Sequence, residues 1–332
     1  MKVRTVQYRG LAVCLLAVLI AAPRPSRAAA LAQTLAQADQ VFQAGQADKA
    51  LEQIGSLPQG GANSADALLL LCRIHYALQQ WDKAVSECEQ ATRLGQQDSE
   101  YHLWLGRALG QKAAHASVFS AYGVAKRTVA EFETAARLDP HSAEALMDLG
   151  EYYKSAPGFA GGGLDKAERV AQQLDGVEAS RGHQMHARIA ESRSDYSTAE
   201  REYKQAIATA SHPALRWTML ASFYRTRKRY ADMQDALRTA EGLARKDSHA
   251  TVALYDGAGV LMDGKLDPGT AARMLEEYLA SSTKTEEGPA FEACVRLAKM
   301  KKELGDKDGA QQQIAAALAM AHDYKPALEF SR

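Results

Sequence analysis

The sequence is short of proline, of aromatic residues and of any excess of one charge. Its 332 residues include nine prolines, 7% are aromatic, and 40 Lys and Arg balance 40 Asp and Glu. The zero balance argues against a nucleic-acid-binding protein, which depends on an excess of basic residues. The chain also has 63 alanines and 46% hydrophobic residues. Because alanine has the best helix propensity and proline the worst, this composition predicts a folded, soluble and mostly helical protein.

Long hydrophobic runs are absent, apart from one of twelve residues near the N-terminus, residues 11–22. Lys2, Arg4 and Arg9 precede this run, and small residues that suit a cleavage site follow it. This order is typical of a secretory signal peptide, predicted to be cleaved and to comprise residues 1–30. The alternative is an uncleaved anchor, but a membrane span needs about 20 apolar residues. The prediction is therefore a periplasmic or secreted protein, without stable membrane insertion after cleavage and with a small excess of acidic residues.

Short phrases recur along the chain with a period of 34 residues. Asp48-Lys49-Ala50 and Asp82-Lys83-Ala84 are 34 residues apart, and the same three residue types return at 165–167. A further unit ends with the pattern Phe-x-x-Ala-x-x-Leu-Asp-Pro at 132–140, and the next begins with Leu-Gly-x-x-Tyr at 149–153. These features resemble the tetratricopeptide repeat, a 34-residue pair of antiparallel helices.

The resemblance implies an all-α fold, a right-handed α-solenoid of about eight antiparallel helix pairs. Small residues at repeat positions 8, 20 and 27 let the two helices of a pair approach closely, and large residues fill the remaining gaps. One pair cannot bury its apolar face alone, so neighbouring pairs stack. The repeats cover residues 31–322, followed by a C-terminal tail at 323–332. The units begin near residues 31, 65, 99, 143, 180, 214, 252 and 291.

Two segments interrupt the period. Ten extra residues in the third unit, 99–142, predict two longer helices with a turn near Ser117. Residues 157–163 contain four glycines and lengthen the turn inside the fourth unit. The long unit either extends the core or forms a ridge that contacts a partner. The loop is either an ordinary turn or a ligand contact through its backbone N–H groups. Together the two features resemble exported bacterial tetratricopeptide-repeat proteins of undefined role.

Sequence motifs for chemistry are missing. No nucleotide fingerprint, nucleophile motif or metal motif occurs, so the sequence predicts no enzyme, no catalytic residue, no cofactor and no metal. His183 and His186 lie one helical turn apart, but a zinc site needs further ligands.

Cys72 and Cys88 occupy repeat positions 8 and 24 of the second unit, on the facing sides of its two helices. Outside the cytoplasm they form either a disulfide or two buried thiols. A disulfide requires Cα atoms within about 7 Å, and packed helices only just allow that distance. Both interpretations stay open at this level.

In the tetratricopeptide-repeat family the first helix of each pair lines a concave groove. Carried over to this chain, the groove residues include Arg73, Arg107 and Arg188 at position 9 and Tyr76 and Arg225 at position 12. Because the planar fork of arginine suits carboxylates, one hypothesis is a groove for an acidic or C-terminal peptide segment. The alternative is that these arginines are solvated charges, some of them paired with nearby glutamates. The family's carboxylate clamp uses a fuller set of Lys and Asn, which this chain does not reproduce.

The function predicted from the sequence is a non-catalytic protein–protein interaction scaffold outside the cytoplasm, with a protein or peptide partner in its groove. One alternative is a ligand-binding or enzymatic role through the loop at 157–163. Another is a structural subunit of a cell-envelope assembly, held through the long third unit.

Overall fold

The computed structural model describes residues 27–57, 60–115 and 118–330, which form seventeen α-helices and no β-strand. Helices α1 to α16 form eight consecutive pairs that stack on one another, and α17 follows the last pair. The predicted all-α solenoid of eight helix pairs is confirmed. The helices are α1 Arg27–Gln43, α2 Ala47–Gly55, α3 Ala65–Ala77, α4 Trp81–Leu94, α5 Ser99–Ala114, α6 Val118–Leu138, α7 Ala143–Ser155, α8 Leu164–Val177, α9 Ala179–Ser192, α10 Tyr196–Thr209, α11 Ala214–Thr226, α12 Tyr230–Ala244, α13 Val252–Asp263, α14 Pro268–Ala280, α15 Ala290–Glu303, α16 Lys307–Met320 and α17 Lys325–Phe330.

The predicted signal peptide lies almost entirely outside the described residues, since the description begins at Arg27, the first residue of α1. The turn predicted near Ser117 also falls outside them. No helix in the described part of the chain is long and apolar enough to cross a membrane.

Small side chains bring the two helices of a pair together. In the pair α3–α4, Cys72, Ala84, Cys88 and Ala91 are completely buried. In the next pair Gly106 faces the ring of Phe132, so closely that an added Cβ would lie 2.6 Å from the ring. The close approach therefore depends on small residues at the repeat positions where the sequence pattern requires them.

Helix ends are defined by side-chain caps and by left-handed turn residues. The hydroxyls of Ser64 and Ser142 accept hydrogen bonds from the backbone N–H groups of the residues three places on, at the starts of α3 and α7. Gln79, Ser194 and Lys228 have φ near 60° in the turns between the helices of their pairs. This conformation ends the first helix and reverses the chain direction for the second.

The two segments that interrupt the period contact each other. Helices α5 and α6 have 16 and 21 residues, whereas the pair α3–α4 has 13 and 14. The hydroxyl of Tyr152 on α7 lies 2.8 Å from the carbonyl oxygen of Ala125 on α6 and 2.7 Å from that of Ala160 in the glycine-rich loop. The rings of Tyr122 and Phe159 also meet, with centroids 5.9 Å apart. The loop at 157–163 therefore packs against the long helix α6.

Gly162 provides a direct test of how tightly this loop is folded. An added Cβ at Gly162 would lie 1.8 Å from the carbonyl oxygen of Ala156, whereas at Gly158 it would meet nothing within 4 Å. Because a backbone carbonyl cannot rotate away like a side chain, we expect Gly162→Ala to lower the free energy of unfolding by about 1–3 kcal/mol. Gly158→Ala, in the same loop, is the control and should change it by less than about 0.5 kcal/mol. Equal urea midpoints for the two variants would contradict the loop conformation.

The first and last repeats pack against each other. One hydrophobic cluster joins Leu35, Phe42 and Ile74 of the first two pairs to Phe291 and Tyr324 near the C-terminus, all of them buried. The contact is close because Gly45 has no side chain, and an added Cβ there would lie 2.5 Å from the Cβ of Ala290.

Polar contacts surround this head-to-tail contact. Gln80 donates to Asp323 at 2.6 Å, and the backbone N–H of His322 donates to Asp48 at 2.9 Å. The C-terminal segment, which the sequence assigned to a tail, thereby contributes to the core, since Tyr324 and Ala327 are 1% and 0% exposed. The two ends of the solenoid of eight repeats thus meet.

Candidate functional site

A pocket of about 600 Å³ opens where the early repeats face the C-terminal part of the chain. We call it the inner pocket. Its walls come from α3, Trp81 at the start of α4, α5, Glu144 of α7 and the segment 286–292 that leads into α15. Because one wall belongs to the eighth repeat, the pocket exists only when the two ends of the solenoid meet.

Arg73 crosses the inner pocket between the first and last repeats. Its guanidinium donates from Nε and Nη2 to one carboxylate oxygen of Glu286, at 3.0 and 2.6 Å, and lies 3.1 Å from Asp39. The side chains of Arg73 and Glu286 are each only 15% exposed. Burial raises the pKa of Glu286 even though Arg73 opposes the shift. The ion pairs of this arginine therefore connect the two ends of the solenoid.

Arg107 occupies the equivalent place one repeat later. Its Nε donates to Asp148 of α7 at 2.5 Å, and its Nη2 lies 3.3 Å from Glu144. Its guanidinium also stands 4.6 Å above the ring of Trp104. Burial raises the pKa of Asp148 although Arg107 lowers it. Like Arg73, this arginine is paired within the molecule.

Arg188 and Arg225 are not part of the inner pocket. Arg188 lies 2.9 Å from Glu151 of α7, and Arg225 lies 3.6 Å from Asp263 of α13. Of the five groove residues predicted from the sequence, the structure therefore brings together Arg73, Tyr76 and Arg107. Each of the four arginines has an acidic partner on a neighbouring repeat.

Aromatic rings form one wall of the inner pocket. Tyr76 meets Trp81 and Trp104 edge to face, with centroids 5.4 and 5.6 Å apart. His115 stacks on Trp81 at 5.5 Å. Burial raises the pKa of the Tyr76 hydroxyl, which accepts a long hydrogen bond of 3.4 Å from Gln111. The four rings together provide an amphipathic surface beside the charged groups.

Negative charge exceeds positive charge around the inner pocket. Two arginines and five glutamates line it. Glu100 and Glu287 are exposed and have no ion-pair partner within 4 Å in the described chain. Desolvation raises the pKa of Glu100. On α13, burial together with Glu287 raises the pKa of Asp256 to about 6, against the influence of Arg296. The acidic groups are thus incompletely neutralised by the protein itself.

Comparisons with known proteins identify the architecture. Residues 41–108 match the sequence profile of the tetratricopeptide repeat. The crystal structure of a thermophilic tetratricopeptide-repeat protein from Thermus thermophilus superposes with a TM-score of 0.50 at 19% identity, covering 58% of this chain and 98% of that one. The chain has the tetratricopeptide-repeat fold. Proteins built from this repeat are generally non-catalytic scaffolds for protein–protein interaction, so the fold favours such a role.

Two further solved structures match less tightly. The Cut9–Hcn1 hetero-tetramer of APC/C aligns with a TM-score of 0.42 at 15% identity, over 83% of this chain and 50% of that chain. MamA aligns with a TM-score of 0.41 at 18% identity, over 54% of this chain and 91% of that chain. No curated protein matches the chain significantly.

A second pocket, of about 690 Å³, adjoins the inner pocket along the tetratricopeptide-repeat groove. The two share Tyr76, Arg107 and Gln111, and the second extends between α5, α6 and α7 as far as Ala156. The two pockets are therefore neighbours in the groove and have three lining residues in common.

Three glycines of the loop inside the fourth repeat already use their backbone N–H donors within the protein. The N–H groups of Gly161, Gly162 and Gly163 donate to the carbonyl oxygens of Gly158, Pro157 and Tyr153, at 3.0, 3.1 and 2.7 Å. An anion at these three glycines would therefore have to compete with existing hydrogen bonds.

Potential metal ligands are engaged with one another or with neighbouring groups. His183 pairs with Glu202 at 2.8 Å and His186 with Asp175 at 3.1 Å. Asp48, His322 and Asp323 lie close enough to share an ion, but His322 already bonds to Asp48, and Gln80 bonds to Asp323. These groups serve as structural contacts in the described part of the chain.

Cys72 and Cys88, inside the second repeat, are joined in the structure. Their Cα atoms are 5.4 Å apart, and a disulfide bond links their sulfur atoms. Cys294 is free and buried, and burial raises the pKa of its thiol to about 11. A raised pKa makes this thiol unreactive, so among the cysteines in the described part of the chain the redox-sensitive group is the pair Cys72–Cys88.

Sequence reasoning missed several residues of the inner pocket. Glu286 and Glu287 lie in the connection between the seventh and eighth repeats, and nothing in the repeat phase places them beside the second. Trp81 and Trp104 could have been predicted as site residues, since two of the three tryptophans lie in adjacent repeats. Trp81 begins a second helix and so fell outside the positions that the family pattern assigns to the groove.

Proposed function

We propose that the protein is a non-catalytic interaction scaffold that works outside the cytoplasm and binds a segment of a partner protein in its concave groove. The observation that carries the proposal is the pair of adjoining pockets in the groove, of about 600 and 690 Å³, which share Tyr76, Arg107 and Gln111. Pockets of this size suit ligand recognition. Because the repeats pack rigidly, binding costs little ordering of the scaffold.

Export is the second part of the proposal, and it rests on residues 1–30. Their basic start, twelve-residue apolar run and small residues have the order of a signal peptide. A fusion of these residues to a reporter that is active only outside the cytoplasm should be active. An inactive fusion that is stably produced would contradict the export proposal.

An acidic partner segment is one version of this function, since arginines line the groove. Such a segment would have to displace Glu286 from Arg73 or Asp148 from Arg107. Both exchanges would leave a displaced carboxylate beside the ligand, which makes this version costly.

A structural role in an envelope assembly is the second candidate. It is favoured by the exposed pair Tyr122 and Phe159, which are 43% and 73% exposed where the long helix α6 meets the glycine-rich loop. Aromatic residues that remain exposed in this way are common at protein interfaces.

Affinity capture from envelope extract distinguishes the two candidates. The bait is the purified protein, compared with Tyr76→Ala/Trp81→Ala in the groove and Tyr122→Ala/Phe159→Ala on the ridge. A stoichiometric partner that is lost with the groove variant and retained with the ridge variant supports the scaffold. A partner that is lost with the ridge variant and retained with the groove variant supports the assembly role and contradicts binding in the groove. Circular dichroism and urea midpoints check that each variant is folded.

A further inference from the structure

We infer that the inner pocket binds lysine or arginine side chains of a basic peptide segment. The inference rests on the proposed function, since it names the chemistry of the partner that the scaffold would hold. The ligand inferred here is positively charged, whereas the arginines alone predicted a negatively charged one.

The inner pocket keeps a negative charge after its arginines have paired with carboxylates. Arg73 and Arg107 are already bound to carboxylates, at distances of 2.5–3.3 Å. Five glutamates line the same pocket, and two of them, Glu100 and Glu287, have no ion-pair partner in the described residues. A cationic ligand meets these free carboxylates without breaking an existing pair, whereas an anionic ligand meets like charge.

The inner pocket has an aromatic wall of Tyr76, Trp81, Trp104 and His115. Lysine and arginine have apolar stems as well as charged heads, so they fit a site in which aromatic rings stand beside carboxylates. Cations are also attracted to the faces of aromatic rings. The pocket already contains this arrangement, because Arg107 stands 4.6 Å above Trp104 and is bonded to Asp148.

The inner pocket is also large enough for a peptide side chain. The pocket of about 600 Å³ is larger than a site for a single small ion and adjoins the second pocket, with which it shares three lining residues. Five glutamates and only two arginines line the pocket, so it has too few counter-charges, and partial desolvation raises the pKa of Glu100 and Glu286. A peptide with several basic residues supplies those charges along its length.

The test measures binding of labelled nine-residue peptides to the purified full chain by fluorescence anisotropy. The three peptides alternate serine with lysine, with glutamate or with alanine. We expect the lysine peptide to bind at least tenfold more tightly than either of the others, and its affinity to fall as salt is added. Equal binding of all three peptides would overturn the inference, as would binding of free spermidine as tightly as the lysine peptide.

Two pairs of substitutions locate the binding. Glu100→Gln/Glu287→Gln removes the two unpaired carboxylates and should weaken binding of the lysine peptide about five- to tenfold. Glu52→Gln/Glu303→Gln makes the same change of charge at exposed positions outside the pocket and should change binding less than twofold. All four side chains are exposed, so these variants should fold like the parent protein. Equal loss in both variants would mean general charge attraction and would overturn the assignment to the pocket.

Failure of this inference differs from failure of the proposed function. If a captured partner depends on Tyr76 and Trp81 but not on Glu100 and Glu287, the scaffold function stands and the basic chemistry is wrong. If the partner depends on none of these residues, both are wrong.

Discussion

Replacing Phe291 by alanine should lower the free energy of unfolding by about 3–5 kcal/mol, among the largest effects expected for one substitution in this protein. Phe291 is 0% exposed and meets the ring of Tyr324 edge to face, with centroids 4.9 Å apart. It belongs to the cluster that joins the first and last repeats. The alanine variant therefore leaves a cavity at the head-to-tail contact. The measurement is the shift of the urea midpoint, with the radius of gyration from small-angle scattering as a second readout.

Phe159→Ala is the matched control, because it removes the same atoms from a side chain that is 73% exposed. Its effect on the free energy of unfolding should stay within about 0.5 kcal/mol. If Phe291→Ala also stays within that range, the closure of the solenoid through this cluster is wrong. If its radius of gyration rises while the helix content is kept, the ends have separated and the inner pocket has opened.

Reduction of the Cys72–Cys88 bond should cost about 3 kcal/mol, the second large effect. The two cysteines are 16 residues apart, and closing a loop of about that length restricts the unfolded chain by roughly this free energy. We expect protein isolated from an oxidising compartment to have a higher urea midpoint than the same protein treated with dithiothreitol. Mass spectrometry after alkylation in denaturant should show two additional alkylated cysteines once the protein is reduced.

Cys72→Ala/Cys88→Ala controls for other effects of the reductant, and its urea midpoint should not respond to dithiothreitol. Identical alkylation of the parent protein with and without reduction would show two thiols in place of the bond. The same result would weaken the proposal that the protein is exported, since an oxidising compartment favours the disulfide.

Local repeat chemistry accounts for the parts of the fold that were predictable. The 34-residue spacing, the small residues such as Ala84 and Ala91 and the caps such as Ser64 act within one helix pair or between neighbouring pairs. Their effects can therefore be read from a short window of sequence. The same holds for the long third unit, which is visible in the sequence as ten extra residues.

The candidate site was only partly predictable for the same reason. Repeat positions indicated that Arg73, Tyr76 and Arg107 face the groove, and all three line the inner pocket. Repeat positions did not indicate that the two arginines are ion-paired, because the acidic partners lie on other parts of the chain. Glu286, the principal partner of Arg73, is 213 residues away.

The sequence by itself determined the helix pairs, their order and the faces that each pair presents to its neighbours, because these follow from contacts between residues close in the chain. Only the tertiary structure decided that the ends meet, that Phe291 and Tyr324 pack on the first repeats, and that the pocket carries unpaired negative charge. The small rotation between successive repeats adds up over eight pairs. The total rotation over the eight pairs decides which distant residues come into contact. A short segment of sequence does not reveal that total.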